Sequence, residues 1–109
     1  MVPTEFLTGY VAALNRPLLP KGGLSRSATR RAVEDCHDFF LANREQLEEA
    51  VGGHGYSWLD AGTDFYLSRN DEGGYAEREA IALEVAAELH GAALSFGGFE
   101  NEESHDVGG

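Results

Sequence analysis

Thr63-Asp64-Phe65-Tyr66-Leu67-Ser68 is the stretch whose reading decides the fold. Apolar and polar residues alternate along it, the period of a half-buried strand, with Phe65 and Leu67 directed inward. Asn70-Asp71-Glu72-Gly73-Gly74 follows as a turn, because glycine tolerates backbone angles that other residues resist. Upstream, residues 54–62 read as a loop or short turn from which Trp58 folds back onto the core.

Downstream, residues 76–90 carry a helical pattern. Ala82, Val85, Ala86 and Leu89 share one face with Ile81 beside them, while Glu77, Glu84 and Glu88 lie mostly away from it. Gly91 caps this helix, and Ala93-Leu94-Ser95-Phe96 opens a second short strand over 93–98. Towards the N-terminus the clearest helix covers 26–51, capped by Ser25 or Ser27 and ended by Gly52-Gly53. Its stripe is Val33, Cys36, Phe40, Leu47 and Val51, widened by Ala32 and Phe39, and Asn43 is a point where it can break in two. A first helix places Phe6, Leu7, Tyr10, Val11 and Leu14 at helical spacing after Pro3-Thr4. Asn15-Arg16-Pro17 ends it, since the residue before proline is pushed out of the α region. Residues 16–24 read as a loop, and 100–109 as an acidic disordered tail. The order helix, helix, strand, helix, strand predicts an α+β domain over 1–99. A two- or three-stranded sheet, built from 63–69 and 93–98, packs there against two to three helices.

Composition sets the class. A chain of 109 residues with 42% hydrophobic residues and 6 Phe, 4 Tyr and 1 Trp can bury an independent core. A single cysteine, Cys36, allows no intramolecular disulfide. Neither a membrane-length apolar run nor a signal-peptide pattern is present, which predicts a cytoplasmic protein without membrane partners. The formal net charge of −11 is uneven: residues 1–33 carry +4 and residues 34–109 carry −15. Affinity for nucleic acid grows with each phosphate neutralised, so direct nucleic-acid binding is not expected.

Gly62-Thr63-Asp64-Phe65-Tyr66-Leu67-Ser68-Arg69-Asn70, then Gly74-Tyr75-Ala76-Glu77-Arg78, then Gly91 and Leu94 to Gly98, resemble a family of small uncharacterised bacteriophage and prophage proteins. That family carries a segment like G-x-D-F-W-L-T-R-N-G-H-G-A-G-F-W-D-R. Asp35-Cys36-His37-Asp38-Phe39-Phe40 is similar to its D-C-x-D-F element, so the likeness spans roughly 35–100. Asp71-Glu72-Gly73-Gly74 replaces the family's G-H-G-A-G turn, one residue shorter and without its histidine, and Ala76 stands where the family has a bulky aromatic. The resemblance implies a phage accessory protein, acting in the host cytoplasm, and a shared fold. It implies no reaction.

Candidate chemistry is sparse. Structural zinc needs four ligands, usually in paired short spacings, and Cys36-His37 is the one close pair, its members pointing about 100° apart on a helix. No metal and no cofactor is expected. As a nucleophile Cys36 would need a neighbouring positive charge, whereas Glu34, Asp35 and Asp38 surround it in sequence. Ser57 and Ser68 lack a nucleophile-elbow pattern. The chain therefore reads as a non-enzyme, with a small enzyme using Asp60, Asp64 or His54 as an alternative. The feature above background is the carboxylate set Asp71, Glu72, Glu77, Glu79, Glu84 and Glu88. Such a set most often marks a solvated face or adaptation to a salty host, and its functional reading is a surface that docks a basic groove. From a phage-like chain, that surface points to a protein partner such as a host defence nuclease or other nucleic-acid enzyme, inhibited by nucleic-acid mimicry. Exposed edges of so small a sheet would favour a homodimer, and the first alternative function, ahead of the enzyme, is a self-associating structural or accessory phage protein.

Overall fold

The computed structural model describes residues 2–15, 26–53 and 55–97. Among them there is no strand. Helices α1 (Thr4–Asn15), α2 (Arg26–Ala42), α3 (Arg44–Gly52), α4 (Trp58–Arg69) and α5 (Leu83–Leu94) pack around one core, with a 3-10 turn at Gly74–Glu77. The α+β expectation is overturned. Residues 63–69 are the second half of α4, and 93–96 are the end of α5 and the turn after it. Ser25 and the 100–109 tail lie outside the described residues, and Ser27 stands inside α2.

The α1 stripe packs as its spacing requires. Phe6, Tyr10 and Leu14 are buried, with Leu7 and Val11 half-buried beside them. The 26–51 segment breaks at Asn43. Its side-chain amide donates to the Phe39 carbonyl at 3.0 Å, and its own carbonyl accepts from the Leu47 N–H at 2.9 Å. One residue thus finishes α2 and starts α3. Phe40 and Leu47 are buried as the stripe predicted, but Val33 is 44% exposed and belongs to the outer face.

Helix α4 is explained by its start and its buried face. Ser57 and Asp60 form a reciprocal capping box: the Ser57 hydroxyl accepts from the Asp60 N–H at 3.1 Å, and the Asp60 carboxylate accepts from the Ser57 N–H at 3.2 Å. The helix buries Ala61, Gly62, Asp64, Phe65, Ser68 and Arg69, a helical and not an alternating pattern. Only two of those six residues carry apolar side chains, so the 3.6-residue period is hidden from a hydrophobicity reading. What alternation displayed was Phe65, fully buried, and Leu67, half-buried.

Gly62 lets α4 lie directly on α1. A Cβ there would land on the Phe6 carbonyl oxygen, and one at Gly9 on the Leu59 carbonyl oxygen. The contact brings Phe6, Tyr10, Phe39 and Phe65 together, with the Phe39 and Phe65 rings stacked at 4.1 Å. Trp58 folds back as expected, 5.7 Å from Phe40. No described helix is long and apolar enough to cross a membrane.

Candidate functional site

The polar side of α4 faces the segment that follows it, and two polar clusters result. Asp60 and Asp64, one turn apart, both point to Arg78. The Arg78 Nε donates to Asp64 Oδ2 at 2.8 Å, and its Nη2 lies 3.7 Å from Asp60 Oδ1. The Tyr56 hydroxyl donates to the same Asp64 Oδ2 at 2.7 Å, and the Arg78 guanidinium sits 5.6 Å from the centre of the Tyr56 ring. Asp64 is 1% exposed. Burial raises its pKa above the ordinary carboxylate value, against the opposing pull of the Arg78 and Tyr56 hydrogen bonds. Burial likewise pushes the Tyr56 hydroxyl up, while the hydrogen bond to Asp64 holds Arg78 still more firmly in its charged form. Beside this network lies a cavity of about 260 Å³, walled by Asp64, Leu67, Glu72, Gly74, Glu77 and Arg78.

Ser68 is the second centre. Its hydroxyl accepts from the Tyr75 N–H at 2.9 Å and lies 3.0 Å from His90 Nδ1 and 3.3 Å from the Gly73 carbonyl. His90 Nε2 is in turn 3.8 Å from the Asp71 carboxylate. The order serine, histidine, aspartate resembles a hydrolase triad in composition alone. Ser68 has no exposed surface, and its hydroxyl is consumed in holding the 73–75 backbone and His90 against α4. The positive φ of Gly74 (61°) belongs to this seam, since a Cβ there would strike Ser68 and the Asp64 carbonyl.

The six carboxylates predicted to meet a partner are all exposed. Glu72 and Glu77 stand at the cavity wall, Asp71 reaches towards His90, and Glu79 lies in the turn before α5. Glu84 and Glu88 are one helical turn apart on α5, away from buried Val85 and Leu89. Among the described residues Glu72, Glu77, Glu79, Glu84 and Glu88 make no ion pair, whereas Arg69 and Arg78 are both spent on aspartates.

Of the alternative enzyme set, Asp60 and Asp64 converge at Arg78, and His54 lies outside the described residues. Cys36 is buried, and burial followed by the nearby Asp35 charge pushes its thiol up, the opposite of nucleophile activation. Among the described residues no three of His, Cys, Asp and Glu are grouped to hold a metal ion. The sequence reading missed the roles of Tyr56 and Arg78. Ser57-Trp58-Leu59-Asp60, a helix-start pattern, was the signal that could have put Asp60 and Asp64 on one helix face, but it carries no information about their partners Tyr56 and Arg78.

Compared with protein-family models, curated proteins and solved structures, the chain matches none.

Proposed function

We propose that the chain is a phage-type accessory protein that binds a macromolecular partner through Asp71, Glu72, Glu77, Glu79, Glu84 and Glu88. The partner is a nucleic-acid-handling enzyme of the host cytoplasm, whose basic groove the carboxylates occupy in place of a phosphate backbone, so inhibiting it. One observation supports this above the others. The carboxylates of the 71–88 segment are solvent-exposed, and five of the six have no internal cation among the described residues. Uncompensated like charge disfavours the folded state, and docking a basic surface converts that cost into steering and contact energy.

Immobilised protein offered to host lysate at low and at high salt tests the reading, with captured partner then challenged by duplex DNA. Capture should weaken steeply as salt rises, and DNA should displace the partner. A partner whose capture ignores ionic strength, or that DNA leaves in place, refutes it. A second reading, a small enzyme working through Asp60 and Asp64, is favoured by their convergence on Arg78 beside a cavity. It is weighed down by the 1% exposure of Asp64, which leaves its carboxylate little access to a substrate. The case for a homodimer through sheet edges loses its premise, because the described residues form no sheet.

A further inference from the structure

The large apolar side chains that the core leaves out are not scattered. Five are exposed among the described residues, and four of them lie on two helices: Val33 and Leu41 on α2, Leu83 and Leu94 on α5. Leu83 is 83% exposed, the most of any. On α2 the exposed residues Arg26, Arg30, Val33, His37 and Leu41 follow at steps of three and four, so they form one stripe along the outer face. On α5 Leu83, Ala87, Gly91 and Leu94 form a second exposed stripe, with Glu84 and Glu88 along its edge. A single exposed leucine is ordinary on a folded protein, whereas apolar residues aligned beside charge mark a contact surface.

The two stripes carry opposite charge. Among the described residues Arg26 and Arg30 make no ion pair, and neither do Glu84 and Glu88. Their spacing matches as well. Glu84, Glu88 and Gly91 follow one another at the same intervals as Arg26, Arg30 and Val33. Two such helices laid parallel therefore bring Arg26 to Glu84, Arg30 to Glu88 and Val33 to Gly91 in a single register. At Gly91 a Cβ would meet nothing within 4 Å, and Ala87 stands one turn before it, so the α5 surface is low where Val33 arrives. In the same register Leu94 comes level with an open groove of about 640 Å³, walled by Val2, Val33, Glu34, His37 and Asp38.

We infer that the α2 stripe of one copy seats on the α5 stripe of a second, held by two arginine–glutamate pairs and by Val33 and Leu94. The occupant is another copy of this chain, because the chain itself carries both complementary halves. Pairing α5 with α5 would set Glu84 and Glu88 against their own kind, and pairing α2 with α2 would do the same to the arginines. The contact is thus head-to-tail, between two different surfaces of the molecule. It needs no second protein and goes beyond the docking reading, sharing with it only Glu84 and Glu88.

Sedimentation velocity of the full chain over a concentration series up to about 1 mM tests the contact. The average mass of the parent should rise with concentration. Arg26→Glu/Arg30→Glu alone and Glu84→Lys/Glu88→Lys alone should each self-associate about tenfold more weakly. An equimolar mixture of the two should recover association, because each α2 then finds an α5 of opposite charge on the other variant. Glu84→Lys/Glu88→Lys gains two charges at each position and takes the formal net charge from −11 to −7. General repulsion between copies would therefore make that variant associate more strongly, the reverse of the expected result. Leu94→Ser should weaken association, while Leu59→Ser, comparably exposed but off both stripes, should not. Three outcomes overturn the proposal: a parent that stays monomeric throughout, a Glu84→Lys/Glu88→Lys protein that associates more tightly than the parent, or a mixture no more associated than its components.

Discussion

Arg69 Nη1 lies 2.8 Å from Asp35 Oδ2, and the two ends of this pair are buried to different depths: the arginine side chain is 4% exposed, the aspartate 25%. The same guanidinium donates to the Tyr10 hydroxyl and to the Phe96 and Gly97 carbonyls, and lies 5.5 Å from the centres of the Phe65 and Phe96 rings. It ties the end of α5 to α1, α2 and α4. Arg69→Met strips donors from several buried acceptors at once and should cost about 3–5 kcal/mol. Asp35→Asn keeps an acceptor on the solvent side and should cost about 1 kcal/mol. Urea unfolding of both variants checks the asymmetry. Equal losses would mean that the ion pair, and not the carbonyl anchoring, carries the contribution.

The contact between Gly62 and the Phe6 carbonyl gives a second test. Gly62→Ala places a methyl on that backbone oxygen, and a helix axis must move to admit it. A loss of about 3 kcal/mol is expected. Gly91, exposed within α5 with nothing within 4 Å of a new Cβ, should behave oppositely. Gly91→Ala should stabilise by about 0.5–1 kcal/mol by restricting the unfolded chain. Thermal melts of the pair decide the matter. A Gly62→Ala melt near that of the parent would show that α1 and α4 do not lie in backbone contact.

Those glycines also show why part of the fold was legible and part was not. Helices α1, α2 and α3 follow from apolar spacing, and Asn43 was readable as their break, because each buries a conventional apolar stripe. Helix α4 buries glycine against α1 and places Asp64, Ser68 and Arg69 in polar networks, so the residues that face inward are not the hydrophobic ones. Phe65 and Leu67 then imitated a strand. The Ser57–Asp60 box was the local signal that could have corrected this, since it depends on chain geometry and not on hydrophobicity. At the site, the exposed carboxylates were visible as composition. The pairing of Tyr56 and Arg78 with Asp64 was not, because those contacts span 8 and 14 residues and exist only once the 70–78 turn folds back.

The end of α4 supplies a third prediction. The Glu72 N–H donates to the Leu67 carbonyl at 2.8 Å and the Asp71 N–H to the Ser68 carbonyl at 2.9 Å, the bonding of a Schellman helix end. Its left-handed position is filled by Asp71, with φ 58°, where glycine is usual. Asp71→Gly should raise stability by about 0.5–1 kcal/mol, since it removes a side chain from a left-handed backbone. It also removes one of the six carboxylates. Partner capture should therefore fall while the melting temperature rises, and a variant that loses both would show that Asp71 holds the turn through its contact with His90.

Asp64 is the residue whose charge the fold disfavours most plainly, and its pH dependence has a definite sign. Burial raises its pKa in the folded state, so over the interval between the unfolded value, about 3.9, and the raised folded value the native chain holds a proton that the unfolded chain releases. Stability contributed by this group is therefore greatest at acid pH and declines as pH rises through that interval. Asp64→Asn cannot ionise, yet its amide oxygen still accepts from Tyr56 and Arg78. Relative to the parent, the variant should gain stability as pH rises above about 4 and level off once the parent carboxyl is fully ionised. The comparison isolates Asp64, because the surface acids titrate equally in both proteins. Paired chemical denaturation across this range reads the difference directly. A difference that moves in the parent's favour with rising pH would mean that Arg78 and Tyr56 outweigh burial, and that the ionised carboxylate holds α4 to the 74–78 turn.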